Sequence, residues 1–315
     1  MIEARGLTKC FGAAHAVKNV TFDVGRGEIA GFLGPNGAGK TTTMRMLTCY
    51  FPPTSGTARV AGYDVFKDSL KVRQKIGYFI EKAPLYTDMT VENFLGFVAD
   101  IRGVSKGEKK NKVGKVMEDC GINNVSHRLI NNLSRGYRQR VSLAHNLVHD
   151  PEVLILDEPT IGLDPEQVAG VRKLIKNIGN ERTVFLSTHI LHDVSMVCSK
   201  VIIINQGEII AVDTPENLNT RIQKVKKTHV RIDAHPDKVI QALSNIPDVL
   251  NVKKEESHSD KSIYYTVESK KDGDIARDIT SVVFKNSWGL LEIKPVKMSL
   301  EEIFLTIITE AKKNG

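Results

Sequence analysis

Residues 28–51 read EIAGFLGPNGAGKTTTMRMLTCYF, and the fold turns on how this stretch divides. EIAGFL is a short β-like run, and TTTMRMLTCYF reads as a helix. Between them GPNGAGKT, Gly34–Thr41, fits G-x-x-x-x-G-K-[ST] at every position. Strand, glycine turn and helix in that order form a phosphate-binding loop. The glycines let the backbone curl so that successive N–H groups, from about Gly37 to Thr42, point at phosphate oxygens. The start of the helix adds positive partial charge. Lys40 supplies a point charge to the β and γ phosphates, and the Thr41 hydroxyl can ligand Mg²⁺. Gly34, Pro35, Asn36, Gly37, Ala38, Gly39, Lys40, Thr41 and Thr42 are the candidate phosphate-contacting set.

Further along, LILDEP (154–159) ends an apolar run in two carboxylates. Asp157, at the C-terminal end of a buried strand, is placed to hold Mg²⁺ through a water. Strand alternation puts Glu158 on the opposite side, where it can act as general base toward an attacking water.

LSRGYRQRVSLAHNLVH (133–149) is the third element. Ser134 is a good N-cap for a helix whose apolar residues Val141, Ala144, Leu147 and Val148 recur at helical spacing. The Ser134 hydroxyl and the Gly136 N–H would then project from a helix N-terminus, a second anion site. Alone, this corner is a capped helix. Beside a loop that grips phosphates from one side, it suggests contact from the other.

Outward from these motifs, the first eighty residues carry short β-like runs separated by glycine turns. About Thr90 to His149 turns helical, and strand–helix alternation resumes from VLILD. Continuous apolar strands between helices indicate a parallel sheet covered on both faces. KVIIINQGEIIAVD reads as a hairpin turning at Gln206-Gly207, and Pro215 opens another helix. Beyond it the order is βαββαβ, a ferredoxin-like split unit, followed by an amphipathic helix at 299–313. The expected fold is therefore α/β. A phosphate-loop core, with a helical subdomain at about 82–150, spans 1–221. A small α+β accessory domain spans 222–315.

The formal charge of +7 over 315 residues invites a nucleic-acid reading, but the excess is spread, four before residue 221 and three after. The run KGEKKNKVGK (106–115) reads as a solvated helix face, and no nucleic-acid partner is expected. The four cysteines have neither metal-ligand nor C-x-x-C spacing and read as reduced thiols. The N-terminus lacks a signal-peptide apolar region, and no run approaches the ~20 apolar residues of a membrane span. Any membrane role is expected to come through a partner.

In this order the motifs resemble the ATP-binding subunits of ABC transporters, over about residues 1–220. GPNGAGKT and LILDEP match Walker A and Walker B, and LSRGY-R-Q matches the LSGGQ signature. IGLDP, with Asp164, looks like the D-loop. LSTHIL, with His189, looks like the switch histidine that contacts the γ-phosphate. Phe11 in TKCFG takes the place of the aromatic that stacks on adenine. Arg135 and Tyr137 stand where the family has glycine and glutamine, while the serine and second glycine remain. SRGYRQR is similar to a subgroup of gliding-motility and antibiotic-efflux exporters. IGYFIEKAPLYTDMTVENF is similar to the Q-loop segment, with Glu81 in place of glutamine. A carboxylate there can reach Mg²⁺ or the lytic water but cannot donate when ionised. An ordinary surface glutamate is the other reading.

The resemblance implies a P-loop ATPase core with an N-terminal antiparallel β layer, using ATP and Mg²⁺. Two subunits pair head to tail, the P-loop of one and the Ser134 corner of the other enclosing each ATP. One P-loop per chain means that closure needs a second ATP-binding subunit, with a homodimer expected. An integral membrane permease is the other partner, and the place is cytoplasmic, peripheral on the cell membrane. The ending MSLEEIFL resembles exporter subunits of the subgroup. The C-terminal domain carries no catalytic constellation; regulation, dimer support, ligand sensing or a structural role are open. A soluble ABC-type ATPase acting on ribosomes or DNA is the alternative, although paired P-loops with a charged linker, or long coiled-coil insertions, are missing. A P-loop kinase would leave the serine corner and His189 idle.

Overall fold

The computed structural model describes residues 1–81, 84–222, 225–256, 263–270 and 275–296. Contacts group the chain into two units, Met1–Pro215 and Glu216–Gly315. The division falls at the start of the helix Pro215–Ile222, whereas the sequence pattern places it at the helix's end.

The first unit opens with β1 (Ile2–Phe11), β2 (Ala14–Val24) and β3 (Ile29–Leu33), then α1 (Lys40–Leu47), β4 (Ser55–Val60) and β5 (Tyr63–Asp64). Helix α2 (Ser69–Lys75) leads into β6 (Ile76–Phe79). The helical stretch holds α3 (Val91–Ile101), α4 (Lys106–Asp119) and α5 (Arg135–Leu147), with two short 3-10 turns between α4 and α5. Then follow β7 (Val153–Asp157), α6 (Pro165–Gly179), β8 (Thr183–Thr188), α7 (Leu191–Val197), β9 (Lys200–Asn205) and β10 (Glu208–Asp213), and the unit ends at Pro215, the first residue of α8 (Pro215–Ile222).

Two sheets result. β2-β1-β4-β5 is antiparallel, and β10-β9-β3-β8-β7-β6 is parallel except for the β9–β10 hairpin. That hairpin turns at Gln206-Gly207, both at positive φ (49° and 85°), as a two-residue loop matching strand twist requires. In the parallel part β3, β8 and β7 are neighbours, with Leu33 opposite Thr188 and Asp157 opposite Ser187. Their C-terminal ends therefore share one edge. The glycine loop after β3, the acid pair at the end of β7 and His189 after β8 emerge side by side, where open α/β sheets bind ligands.

The core lies between the two sheets. Phe22, Phe32 and Phe185 pack with ring centroids 5.3–5.7 Å apart, and Met44, Met46 and Leu47 of α1 are fully buried beside them. Burying each such side chain stabilises the fold by about 1.5–3 kcal/mol. In the helical part, Thr90 caps α3 by accepting from Asn93 N at 3.3 Å. Gly121, at φ 64°, follows the end of α4. The basic run on α4 is mostly exposed, while Val113 and Val116 turn inward. Two details differ from the sequence pattern. TARVAGYDV (57–65), a single β-like run in the sequence, is a hairpin of β4 and β5 around Ala61-Gly62, and α2 leaves no periodic signal, because seven mostly polar residues give too few turns to show one.

The second unit contains β11 (Val225–Asp233), α9 (Pro236–Ser244), β12 (Val249–Glu256), β13 (Ile263–Lys270), α10 (Ile275–Lys285) and β14 (Gly289–Val296). Its antiparallel sheet has the order β12-β13-β11-β14. Val230, Ile232, Tyr265 and Val267 of the sheet bury against Val239, Leu243, Ile275 and Ile279 of the helices. The helix expected at 299–313 lies outside the described residues. Among the described residues no helix is long and apolar enough to cross a membrane.

Candidate functional site

The glycine loop is set by backbone that other residues resist. Gly37 and Gly39 sit at φ 79° and 104°, and a Cβ on Gly39 would lie 2.6 Å from the Ala16 carbonyl. Lys40, the first residue of α1, is 6% exposed. Its Nζ donates to Gly34 O at 2.7 Å and Pro35 O at 3.3 Å, and lies 3.3 Å from Glu158 Oε1. The cleft over this loop has a volume of about 380 Å³. Pro35, Asn36, Gly37, Gly39, Lys40, Thr41 and Thr42 line it, together with Ala16, Glu81, Glu158 and Ile161. Gly34 and Ala38 support the loop from behind; Ala38 is buried and its carbonyl accepts from Gly207 N at 3.0 Å.

Asp157, the last residue of β7, is buried and accepts from Ser187 Oγ at 2.6 Å and Thr41 Oγ1 at 3.2 Å. Glu158 departs from the strand alternation expected of it. It lies beyond the strand at φ 52°, in the left-handed region, with its N–H donating to Ser187 Oγ at 3.0 Å. The chain thus turns at the sheet edge, and both carboxylates face the glycine loop, Asp157 through Thr41 and Glu158 through Lys40.

His189 completes this group: its Nδ1 is 3.0 Å from Glu158 Oε2. Glu158, its side chain 9% exposed, is therefore held between a buried cation and a partly exposed imidazole. The chemistry this permits is proton removal from a water, with cationic and hydrogen-bonding groups nearby to stabilise developing negative charge.

Sequence reasoning missed Asp193. Buried on α7, it accepts from Thr160 Oγ1 and is paired with Arg172 of α6, whose Nε is 2.7 Å away. It thereby ties the turn after Glu158 to the helix after His189. Nothing in the local pattern singles it out, since its partners are 33 and 21 residues away.

Eight predicted residues lie outside the lining of the cleft: Gly34, Ala38, Asp157 and His189, already placed beside the lining residues, and Phe11, Ser134, Gly136 and Asp164. Phe11 is half exposed at the end of β1, edge-on to Phe51 at 5.6 Å, with the Lys9 ammonium 5.4 Å from its ring. Ser134 is exposed and caps α5, accepting from Tyr137 N at 3.4 Å. Gly136 is buried, and a Cβ there would lie 2.7 Å from the Gln167 side chain. Asp164 caps α6, accepting from Gln167 N at 2.9 Å. Glu81 does line the cleft, at its rim, and also lines a neighbouring pocket with Arg135 and Arg138.

No cluster of three or more His, Cys, Asp or Glu able to hold a metal is found among the described residues. A hydroxyl and one carboxylate at 3.2 Å suit a hard divalent ion that keeps several waters and takes further ligands from substrate phosphates, as Mg²⁺ does.

Known proteins resemble this chain in sequence and in fold. The family described as ABC transporter matches residues 17–161. The bacitracin transport ATP-binding protein BcrA of Bacillus licheniformis is 32% identical over 310 residues, 98% of this chain and 97% of that one. The chain belongs to the ATP-binding proteins of ABC transporters. The linearmycin resistance ATP-binding protein LnrL of Bacillus subtilis (strain 168) is 35% identical over 223 residues, 70% of this chain and 72% of that protein. A bacterial ABC transporter cassette solved as a dimer shares the fold, with a TM-score of 0.62 at 23% identity, covering 68% of this chain and 98% of that one. The ABC subunit described here binds and hydrolyses ATP to drive transport. Cassettes of this family form dimers and work with membrane permeases.

Proposed function

We propose that this ABC subunit drives an exporter, with Glu158 as general base and with ATP shared between two copies of the chain. Lys40 and the N–H groups of the glycine loop hold the β and γ phosphates, and Thr41 and Asp157 hold Mg²⁺, which neutralises phosphate charge when bound. Glu158 takes the proton of the attacking water. His189, bonded to Glu158, orients that carboxylate and meets the γ-phosphate. Glu81 stands at the rim as a further metal or water contact, and Phe11 is the adenine platform. Ser134, Gly136 and Asp164 serve the nucleotide of the second copy.

The observation that carries this reading is the placement of Glu158, with one carboxylate oxygen on Lys40 and the other on His189, inside the phosphate-loop cleft. The exposed, capped start of α5 supports the shared site, since it offers N–H groups without lining the cleft of its own chain. The match to BcrA along almost the whole chain supports export. The grouping of the chain into two units supports reading 1–221 as the nucleotide-binding domain and 222–315 as an accessory domain of ferredoxin-like form. Its sheet order, with the two outer strands of the chain order at the centre and one edge, is the one that form requires. A second, identical subunit and a separate integral membrane permease are the partners proposed, placing the chain on the cytoplasmic side of the membrane.

Size-exclusion of Glu158→Gln with and without MgATP tests the central point. A larger species formed only with MgATP, together with lost phosphate release, is expected. An elution volume indifferent to ATP and undiminished hydrolysis would count against it.

A further inference from the structure

The turn from Glu158 to Asp164 is weakly held from within. Its internal backbone bonds are long, Ile161 N to Glu158 O at 3.3 Å and Leu163 N to Thr160 O at 3.4 Å. Glu158 and Gly162 both take positive φ, 52° and 69°. The turn is instead fixed from outside. On one side Thr160 donates to the buried Asp193. On the other, two side chains of α5 reach alternate carbonyls: Gln139 Nε2 donates to Pro159 O at 2.6 Å and Arg135 Nη2 to Ile161 O at 3.2 Å. Positions 135 and 139 are one helical turn apart and share a face of α5. The Arg135 guanidinium also fills the space above Gly162 that a Cβ there would occupy.

We infer that Arg135 is a positioning residue for ATP hydrolysis: seated over Gly162 and bonded to Ile161 O, it fixes the turn that begins at Glu158. A glycine at 135 could not make this bond, so the departure of the signature from its usual glycine has a structural use. Ile161 also lines the cleft, so a turn that shifts changes both the wall of the site and the direction of the Glu158 carboxylate. Gly162 is the matching requirement, because any side chain at that position displaces the guanidinium. The inference rests on the reading of Glu158 as the base.

The test is steady-state ATP hydrolysis by the full chain carrying Arg135→Ala, Arg135→Lys, Gly162→Ala, and Arg135→Ala with Gly162→Ala. Arg135→Ala is expected to lower kcat by about tenfold and to leave KM for ATP within about twofold, the pattern of an effect on the chemical step rather than on binding. Arg135 is exposed, so the melting temperature should not move. Arg135→Lys should recover part of the rate. Gly162→Ala should cost less in the Arg135→Ala background than alone, since the two changes break one contact. Unchanged kcat, independent effects in the double variant, or a melting temperature that falls with the rate would overturn the inference. A raised KM with kcat kept would do so as well, assigning Arg135 to direct nucleotide contact. Glu158→Gln is assayed in parallel; if it still turns over, the base assignment fails while the Arg135 result stays readable.

Discussion

The Lys40 ammonium lies 3.3 Å from the Glu158 carboxylate, in a contact where both side chains are at least nine-tenths buried. A triphosphate competes with that carboxylate for the same cation. Glu158→Gln therefore has two effects of opposite benefit. It removes the base, lowering kcat by about 10²–10⁴, and it frees Lys40 for phosphate. Calorimetric titration should show ATP binding at least as tight as in the native chain. Clearly weaker binding would mean that Glu158 helps to hold the nucleotide.

Asp157 accepts two hydroxyl donors, from Ser187 and Thr41, and only the second belongs to the proposed Mg²⁺ shell. Asp157→Asn should raise the Mg²⁺ concentration needed for half-maximal hydrolysis by at least about tenfold, the loss expected when a charged ligand becomes neutral. Ser187→Ala should change stability more than Mg²⁺ dependence. A Mg²⁺ titration and a thermal melt on each variant separate the two roles.

Ser134 is a helix cap in this chain, and an ATP contact only in the proposed dimer. Ser134→Asp distinguishes these roles, because aspartate caps as well as serine but repels a triphosphate. The melting temperature should hold, nucleotide binding by the single chain should hold, and turnover should be lost. Ser134→Ala, by contrast, should cost about 1 kcal/mol of stability through the lost cap. Normal turnover in Ser134→Asp would restrict the corner to its capping role.

His145 and His149, on and just beyond the end of α5, are half-buried, and their loss of solvent is the main reason that each is pushed down to about 4 from the ordinary 6.5. The nearby Arg102 cation pushes in the same direction. Between about pH 6.5 and pH 4 the unfolded chain binds protons that the folded chain refuses, so stability falls as pH falls through that window. Each unit of separation is worth ~1.4 kcal/mol. Chemical denaturation at pH 7.5 and pH 5 should show a loss of a few kcal/mol, and His145→Gln should reduce it. A flat profile would place a proton-accepting partner at these rings.

Much of the architecture was legible because its causes are local. The β9–β10 turn at Gln206-Gly207, the Thr90 and Ser134 caps and the glycine loop each depend on residues within three or four positions, so the sequence displays them directly. α2 was not legible, being too short for its period to emerge. Within the site, the residue types and their order could be read, but the direction of Glu158 could not. Strand alternation gave the wrong side, because the strand stops one residue earlier and the backbone turns left-handed.

From its amino acids alone, then, this chain determined a phosphate loop, a pair of carboxylates, a capped signature helix and the elements that carry them. The tertiary structure decided which of these meet. Glu158 bridges Lys40 and His189, Asp193 anchors Thr160, and Arg135 sits over Gly162, each across more than twenty residues of chain. Such pairings depend on which strands become neighbours and where their ends fall in the sheet. That is set by the burial of the whole core, and no short window of sequence records it.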